Sequence, residues 1–126
     1  NYQNLNKIKN YKISKNPFEK DLSNHNLVFF RGSFSAVKAG AKGLIPVYIN
    51  HKSDIDADIN PLYEIEKKIF RINDFKSIEK IIKTIRSKKS DKRKRYIKNH
   101  CAKINNPINK KIIKDELNSL VGYKII

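Results

Sequence analysis

Methionine and tryptophan are missing from this 126-residue chain, cysteine occurs once, and acidic side chains number 12 against 28 lysines and arginines. Each shortage excludes something. A lone cysteine, Cys101, rules out an internal disulfide framework and makes a reduced, intracellular setting the expectation. No apolar run approaches the roughly 20 residues of a membrane span; Leu27–Phe30 and Leu44–Ile49 are the longest and are flanked by polar residues. The polar, asparagine-rich start has no signal-peptide core. A chain that neither begins with methionine nor contains one is expected to be a piece of a longer protein. No internal repeat is visible, and the length suits a single domain spanning residues 1–126.

What is abundant is positive charge, +16 in all, and it is uneven. Residues 1–66 carry a net +2 and residues 67–126 a net +14, with the basic terminal helices expected over 86–126. The densest stretch holds Arg86, Lys88, Lys89, Lys92, Arg93, Lys94, Arg95 and Lys98 against Asp91 alone. Such a stripe attracts a phosphate polyanion or an anionic membrane surface. A solvated lysine-rich helix face in a chain dominated by Lys, Asn and Ile is the plain alternative. Only Tyr96 interleaves an aromatic, and no nucleic-acid signature is matched, so nucleic acid is the less favoured polyanion.

The remaining pattern alternates short apolar runs with helical stretches. Tyr11–Ser14 is a weak strand candidate, and Pro17 opens a short helix at Phe18-Glu19. Leu27–Phe30 has the unbroken apolar character of a parallel strand buried on both faces. A helix is predicted from Ser33, its N-cap, to Lys42; Phe34, Val37 and Ala41 keep helical spacing, Ala36, Ala39 and Gly40 permit close approach, and Gly43 supplies a left-handed stop. A second strand covers Leu44–Ile49, with Pro46 near its start. A polar loop from His51 to Asn60 and a turn at Pro61–Glu64 lead to a third strand at Lys68–Ile72. Asn73 is expected to cap an amphipathic helix through Phe75, Ile78, Ile82 and Ile85. A helix from Ser90-Asp91 to about Lys103 follows, then one carrying Ile108, Ile112, Leu117, Leu120 and Val121, opened by Asn106-Pro107 and closed by Gly122. Together these predict an α/β layered domain with a mostly parallel sheet and two or three C-terminal helices.

Parallel sheets bind ligands at the carboxyl ends of their strands. Arg31–Ser35, Asn50–Pro61 and Asn73-Asp74 should therefore gather at one edge. In the first of these, Gly32 admits a close ligand, Ser33 and Ser35 offer hydroxyls, Arg31 a forked cation, and the following helix its positive end. Gly-Ser before a helix also serves simple capping. No metal site is read: His25, His51 and His100 are far apart, and the alternating Asp54, Asp56 and Asp58 lack the glycine and glutamate of a calcium loop, Ile59 and Ile65 standing there. Cys101 suits packing rather than nucleophilic chemistry.

The stretch from Asp21 to Tyr63 resembles the nucleotide-sugar-binding half of GT-B-type glycosyltransferases, particularly bacterial surface-carbohydrate enzymes. The likeness rests on Leu27–Phe30, Arg31-Gly32-Ser33-Phe34-Ser35-Ala36-Val37, Gly43-Leu44-Ile45-Pro46-Val47-Tyr48-Ile49 and Asp58-Ile59-Asn60-Pro61-Leu62-Tyr63; element order extends it over residues 11–121. It implies a Rossmann-like donor lobe in which Arg31, Gly32, Ser33 and Ser35 hold the donor phosphates and Asp58, Asn60 and Pro61 form a donor loop. It implies a nucleotide sugar as substrate with no separate cofactor, and a glycan or lipid-linked acceptor. An N-terminal acceptor half, which would bring the catalytic base, lies outside these residues, so catalytic residues are not assigned and the fragment alone is expected to be inactive. The implied location is cytoplasmic, with the basic helices able to dock on the inner membrane face. The sequence departs from the family at Lys38, where a ribose-binding glutamate is usual. Lysine accepts no hydroxyl hydrogen bond, so Lys38 either contacts phosphate or marks an altered or degenerate site. A non-catalytic polyanion-binding module using the 86–98 stripe stays open as the alternative.

Overall fold

A computed structural model of the chain describes residues 9–10, 12–50, 60–106 and 109–121. Pro17 precedes a six-residue helix α1 (Phe18–Ser23), where its missing N–H does no harm. Strand β1 (Leu27–Phe30) leads through a tight turn into α2 (Ser35–Lys42) and back to β2 (Ile45–Ile49). After the second connection a 3-10 segment (Tyr63–Lys68) delivers the chain to β3 (Phe70–Ile72). A further 3-10 turn (Phe75–Ser77) opens α3 (Ile78–Arg86), another (Lys88–Ser90) opens α4 (Asp91–Ile104), and α5 spans Lys110–Val121. The sheet has the order β1-β2-β3 and is parallel throughout, Leu27 pairing Ile45 and Val47 pairing Phe70. The molecule is a Rossmann-like α/β layered domain.

Local chemistry explains several boundaries. Gly43 sits at φ +103, and the N–H groups of Gly43 and Leu44 close on the carbonyls of Gly40 and Ala39, a left-handed stop for α2. Pro46 lies in the central strand, which normally excludes proline. The Ile45 N–H reaches the Asn26 carbonyl across to β1, so the missing N–H of Pro46 faces β3, whose ladder begins only at Val47. Asp74, rather than the expected Asn73, caps the third helical stretch by accepting from the Ser77 N–H at 2.7 Å. Asn109 caps α5, accepting from Lys111 and Ile112; Pro107, Ile108 and Gly122 lie outside the described residues.

The core gathers Phe30, Val37, Val47, Leu62, Ile69, Phe70, Ile85, Ile97 and Cys101 between sheet and helices. Gly40 meets Cys101 and Gly43 meets Lys98, so α4 runs antiparallel to α2 and packs directly on it. Four apolar expectations are corrected. β1 is an edge strand, and Phe29 is 45% exposed instead of buried. Phe34 and Phe75 point to solvent, at 57% and 91%, because the helices that follow them turn Val37 and Ile85 to the core. Lys12–Ser14 form no strand. Ile112, Leu117 and Leu120, the expected inner face of α5, are exposed.

Candidate functional site

Because all three strands are parallel, the ends Phe30, Ile49 and Ile72 share one edge, and the residues just beyond them meet there. Arg31 is half-buried and Gly32 turns the chain with φ +63, a conformation glycine adopts without strain. The turn places the Ser33 and Ser35 hydroxyls 2.6 Å apart, and the Ser35 N–H donates to Ser33 Oγ at 3.3 Å. The Ser33 hydroxyl thus closes the turn locally, while the helix starts at Ser35 with Phe34, one residue past the expected Ser33, in the cap position and no side-chain cap bond. The next amides are used locally: Ala36 N–H bonds the Ser33 carbonyl, and those of Val37 and Lys38 bond the Phe34 carbonyl. What this turn presents is chiefly a hydroxyl pair on a left-handed glycine, at the positive end of an eight-residue helix.

The other strand ends add amides and an apolar wall. Asn50 Nδ2 donates to Asn73 Oδ1 at 3.0 Å, and the Asn50 N–H to the Ile72 carbonyl at 2.8 Å, closing β2 against β3. Ile49, Asn50, Ile72, Asn73, Asp74 and Phe75 surround a hollow of about 100 Å³. Sequence pattern assigned Phe75 to a buried helix face, so its place on this rim was missed; the stretch Phe75–Ser77 winds as a 3-10 turn, which rotates Phe75 off the face that Ile85 holds.

The remaining donor-site expectations fare unevenly. Lys38 is not turned onto the serine turn: its ammonium pairs with Glu19 and lies 5.9 Å from the Phe18 ring centre, tying α2 to α1. That contact holds the exposed Glu19 carboxyl below its usual range. Asn60 Oδ1 accepts from the Leu62 N–H at 2.9 Å, so this side chain shapes the turn at half-buried Pro61 and sends Leu62 into the core. Asp58 lies outside the described residues, as do Asp54, Asp56 and His51. His100 faces Glu64 at 3.7 Å.

The basic stripe is at the opposite edge. α3 descends from the carboxyl edge, so Arg86, Lys88 and Lys89 fall beside the amino ends of the strands, where α4 begins. Two of the eight stripe residues face inward and are corrected from contact residues to structural ones. Arg93 donates through Nε to the Lys68 carbonyl at 2.5 Å and through its terminal nitrogen to the Ile69 carbonyl at 2.8 Å, while stacking 3.8 Å from the Phe70 ring centre. Burial lowers its pKa from the ordinary value. Lys94 donates to the Ile85 carbonyl at 3.0 Å and pairs with Asp91 at 2.6 Å. That hydrogen bond and one from the buried Ser90 hydroxyl, at 2.9 Å, together terminate α3. Arg86, Lys88, Lys89, Lys92, Arg95 and Lys98 are exposed. Arg95 and Lys98 border a separate hollow with Gly43, Leu44 and Ile45. Cys101, buried against Gly40, has its thiol pushed up to about 11 by desolvation, which leaves little thiolate at neutral pH. Among the described residues no helix is long and apolar enough to cross a membrane. No family model, curated protein or solved structure matches this chain.

Proposed function

We propose that this chain is the donor-binding lobe of a glycosyltransferase that moves a sugar from a nucleotide sugar to a surface-glycan acceptor, glycan or lipid-linked. The observation that carries the reading is the Ser33–Ser35 hydroxyl pair on the glycine turn at the carboxyl end of β1. The apolar hollow at the ends of β2 and β3 lies on the same edge. One to two strand spacings, roughly 5–10 Å, separate them, which is the scale of a nucleoside diphosphate. The hydroxyls and helix end would hold the phosphates and stabilise the negative charge that develops as the sugar leaves. Arg31 neighbours that position, while the hollow would take the base. The acceptor half and the catalytic base belong to chain outside these residues, so the lobe alone binds without turnover. The Lys38–Glu19 pair favours a second reading, a relative that keeps the lobe and has lost the ribose contact.

Calorimetric titration with UDP, CDP, CMP and GDP at low and moderate salt separates the two. Saturable binding of one nucleotide, surviving moderate salt, is expected of a donor pocket. Hydrogen bonds to charged groups contribute about 1.5–3 kcal/mol each, so Ser33→Ala with Ser35→Ala should weaken that nucleotide at least about tenfold. Unchanged affinity in the double variant removes the site, and absence of any selectivity supports the degenerate relative.

A further inference from the structure

We infer that the amino edge of the sheet is a docking surface for an anionic phospholipid bilayer, formed by Lys67, Lys68, Lys89 and Lys92 around the anchored guanidinium of Arg93. Two hollows of about 460 and 450 Å³ adjoin there. The first is lined by Lys67, Lys68, Lys89, Lys92, Arg93 and Tyr96; the second shares Lys89 and Arg93 and adds Lys83, Thr84, Ser87 and Ser90. Sharing Lys89 and Arg93, the hollows together make a basic depression, and no carboxylate lines either. The acids adjoining Lys67 and Lys92 in sequence are already paired, Glu66 with Arg71 and Asp91 with Lys94.

This surface differs from the stripe read along the sequence. Lys67 and Lys68 stand more than twenty residues before Lys89 and Lys92 and join them only because Arg93 fastens the carbonyls of Lys68 and Ile69 onto α4. The same contacts hold the two lysine pairs at fixed separation, so the charge is presented without ordering a loose segment first. The cations come from three segments: the 3-10 turn before β3, the one before α4, and α4 itself.

The chemistry of the depression favours lipid over nucleic acid. Its exposed cations are lysines, compact charges that attract headgroup phosphates and an anionic leaflet without shape readout. The one planar fork, Arg93, is bonded to carbonyls and stacked on Phe70, so it does not read base edges. Half-exposed Tyr96 is a single aromatic, whereas a single-strand groove stacks successive bases on several. A tyrosine among lysines suits the headgroup level of a bilayer. The surface lies on the edge opposite the proposed donor site and does not depend on it.

Vesicle co-sedimentation of the 126-residue chain tests the inference. Binding is expected to phosphatidylcholine vesicles containing phosphatidylglycerol, falling as salt rises, and not to phosphatidylcholine alone. Each surface lysine is expected to change partitioning by about fivefold. Lys67→Gln, Lys68→Gln, Lys89→Gln and Lys92→Gln together should therefore lower it by at least about tenfold even with partial compensation. A charge-matched control, Lys12→Gln, Lys15→Gln, Lys20→Gln and Lys76→Gln, should lower it by less than about threefold, because those lysines lie elsewhere. Both sets replace exposed side chains and keep the fold. Equal losses in the two variants overturn the surface, since net charge alone would then drive binding. Equal sedimentation with neutral and anionic vesicles also overturns it, and so does displacement from vesicles by poly-uridylate at equal phosphate, which would assign the depression to nucleic acid.

Discussion

The two edges of the sheet are built by different means. At the carboxyl edge, chain neighbours make the serine turn: a glycine turn brings Ser33 to Ser35, and its hydrogen bonds span two to four residues, while Asn50 bonds Ile72 and Asn73 between the strands. At the amino edge, distant residues make it: Arg93 grips carbonyls 24 and 25 positions away. The carboxyl edge offers few polar groups at set positions, as recognition of one small ligand requires. The amino edge offers many cations over a broad depression, as a diffuse anionic surface requires. Proximity in sequence therefore drew the first candidate site as the structure arranges its residues and misdrew the second.

Four substitutions or conditions sharpen this contrast, beginning with the largest effect. Ile97 is fully buried where α4 meets the core, and Ile97→Ala should cost about 3 kcal/mol in urea unfolding through lost burial and a cavity. A loss below 1 kcal/mol would mean that α4 is not part of the cooperative unit. Arg93→Ala should cost about 2 kcal/mol by stranding two carbonyls and the Phe70 face. Its neighbour Lys92→Ala should stay within about 0.5 kcal/mol, as an exposed side chain does. Equal effects from the two would erase the division between anchor and contact residues within the stripe.

Gly40→Ala tests the α2–α4 seam. A methyl there would sit 2.5 Å from Cys101 Sγ and 3.1 Å from its Cβ. Overpacking of about 1–3 kcal/mol opposes a helix-propensity gain of about 1 kcal/mol, giving a net loss of about 1 kcal/mol. In a Cys101→Ala background the same change should cost less, and a strictly additive double variant would deny the contact. The last condition is alkaline pH. Cys101 titrates near 9.0 when unfolded and about 11 when folded. Its contribution is fully present below pH 9 and is lost as pH rises toward 11, because the unfolded chain releases the proton first. Against Cys101→Ala, the wild-type chain should lose relative stability across that window; parallel profiles would show the thiol to be solvated.

The features legible in sequence are those that a few adjacent residues enforce. β1 at Leu27–Phe30, the stop at Gly43, the turn after Asn60 and the start of α4 after Ser90 all rest on local backbone preferences and short hydrogen bonds. The Arg31–Ser35 turn belongs with them, which is why the candidate donor turn is legible in the sequence alone. Facing was less legible. Phe29, Phe34 and Phe75 read as core because apolar spacing marks a face without saying what covers it; β1 has only one strand neighbour, and two helices begin with tight turns that swing their first aromatic outward.

By itself, then, the sequence determined an α/β order of elements, the parallel sheet, the serine turn beyond β1 and a strongly basic second half. Only the tertiary structure decided that Arg93 and Lys94 turn inward, that Lys38 pairs with Glu19, and that Lys67 and Lys68 stand beside Lys89 and Lys92. The physical reason is one of range. Turn and strand preferences act over a few bonds, whereas burial and charge convergence depend on which distant segment the packed core brings alongside.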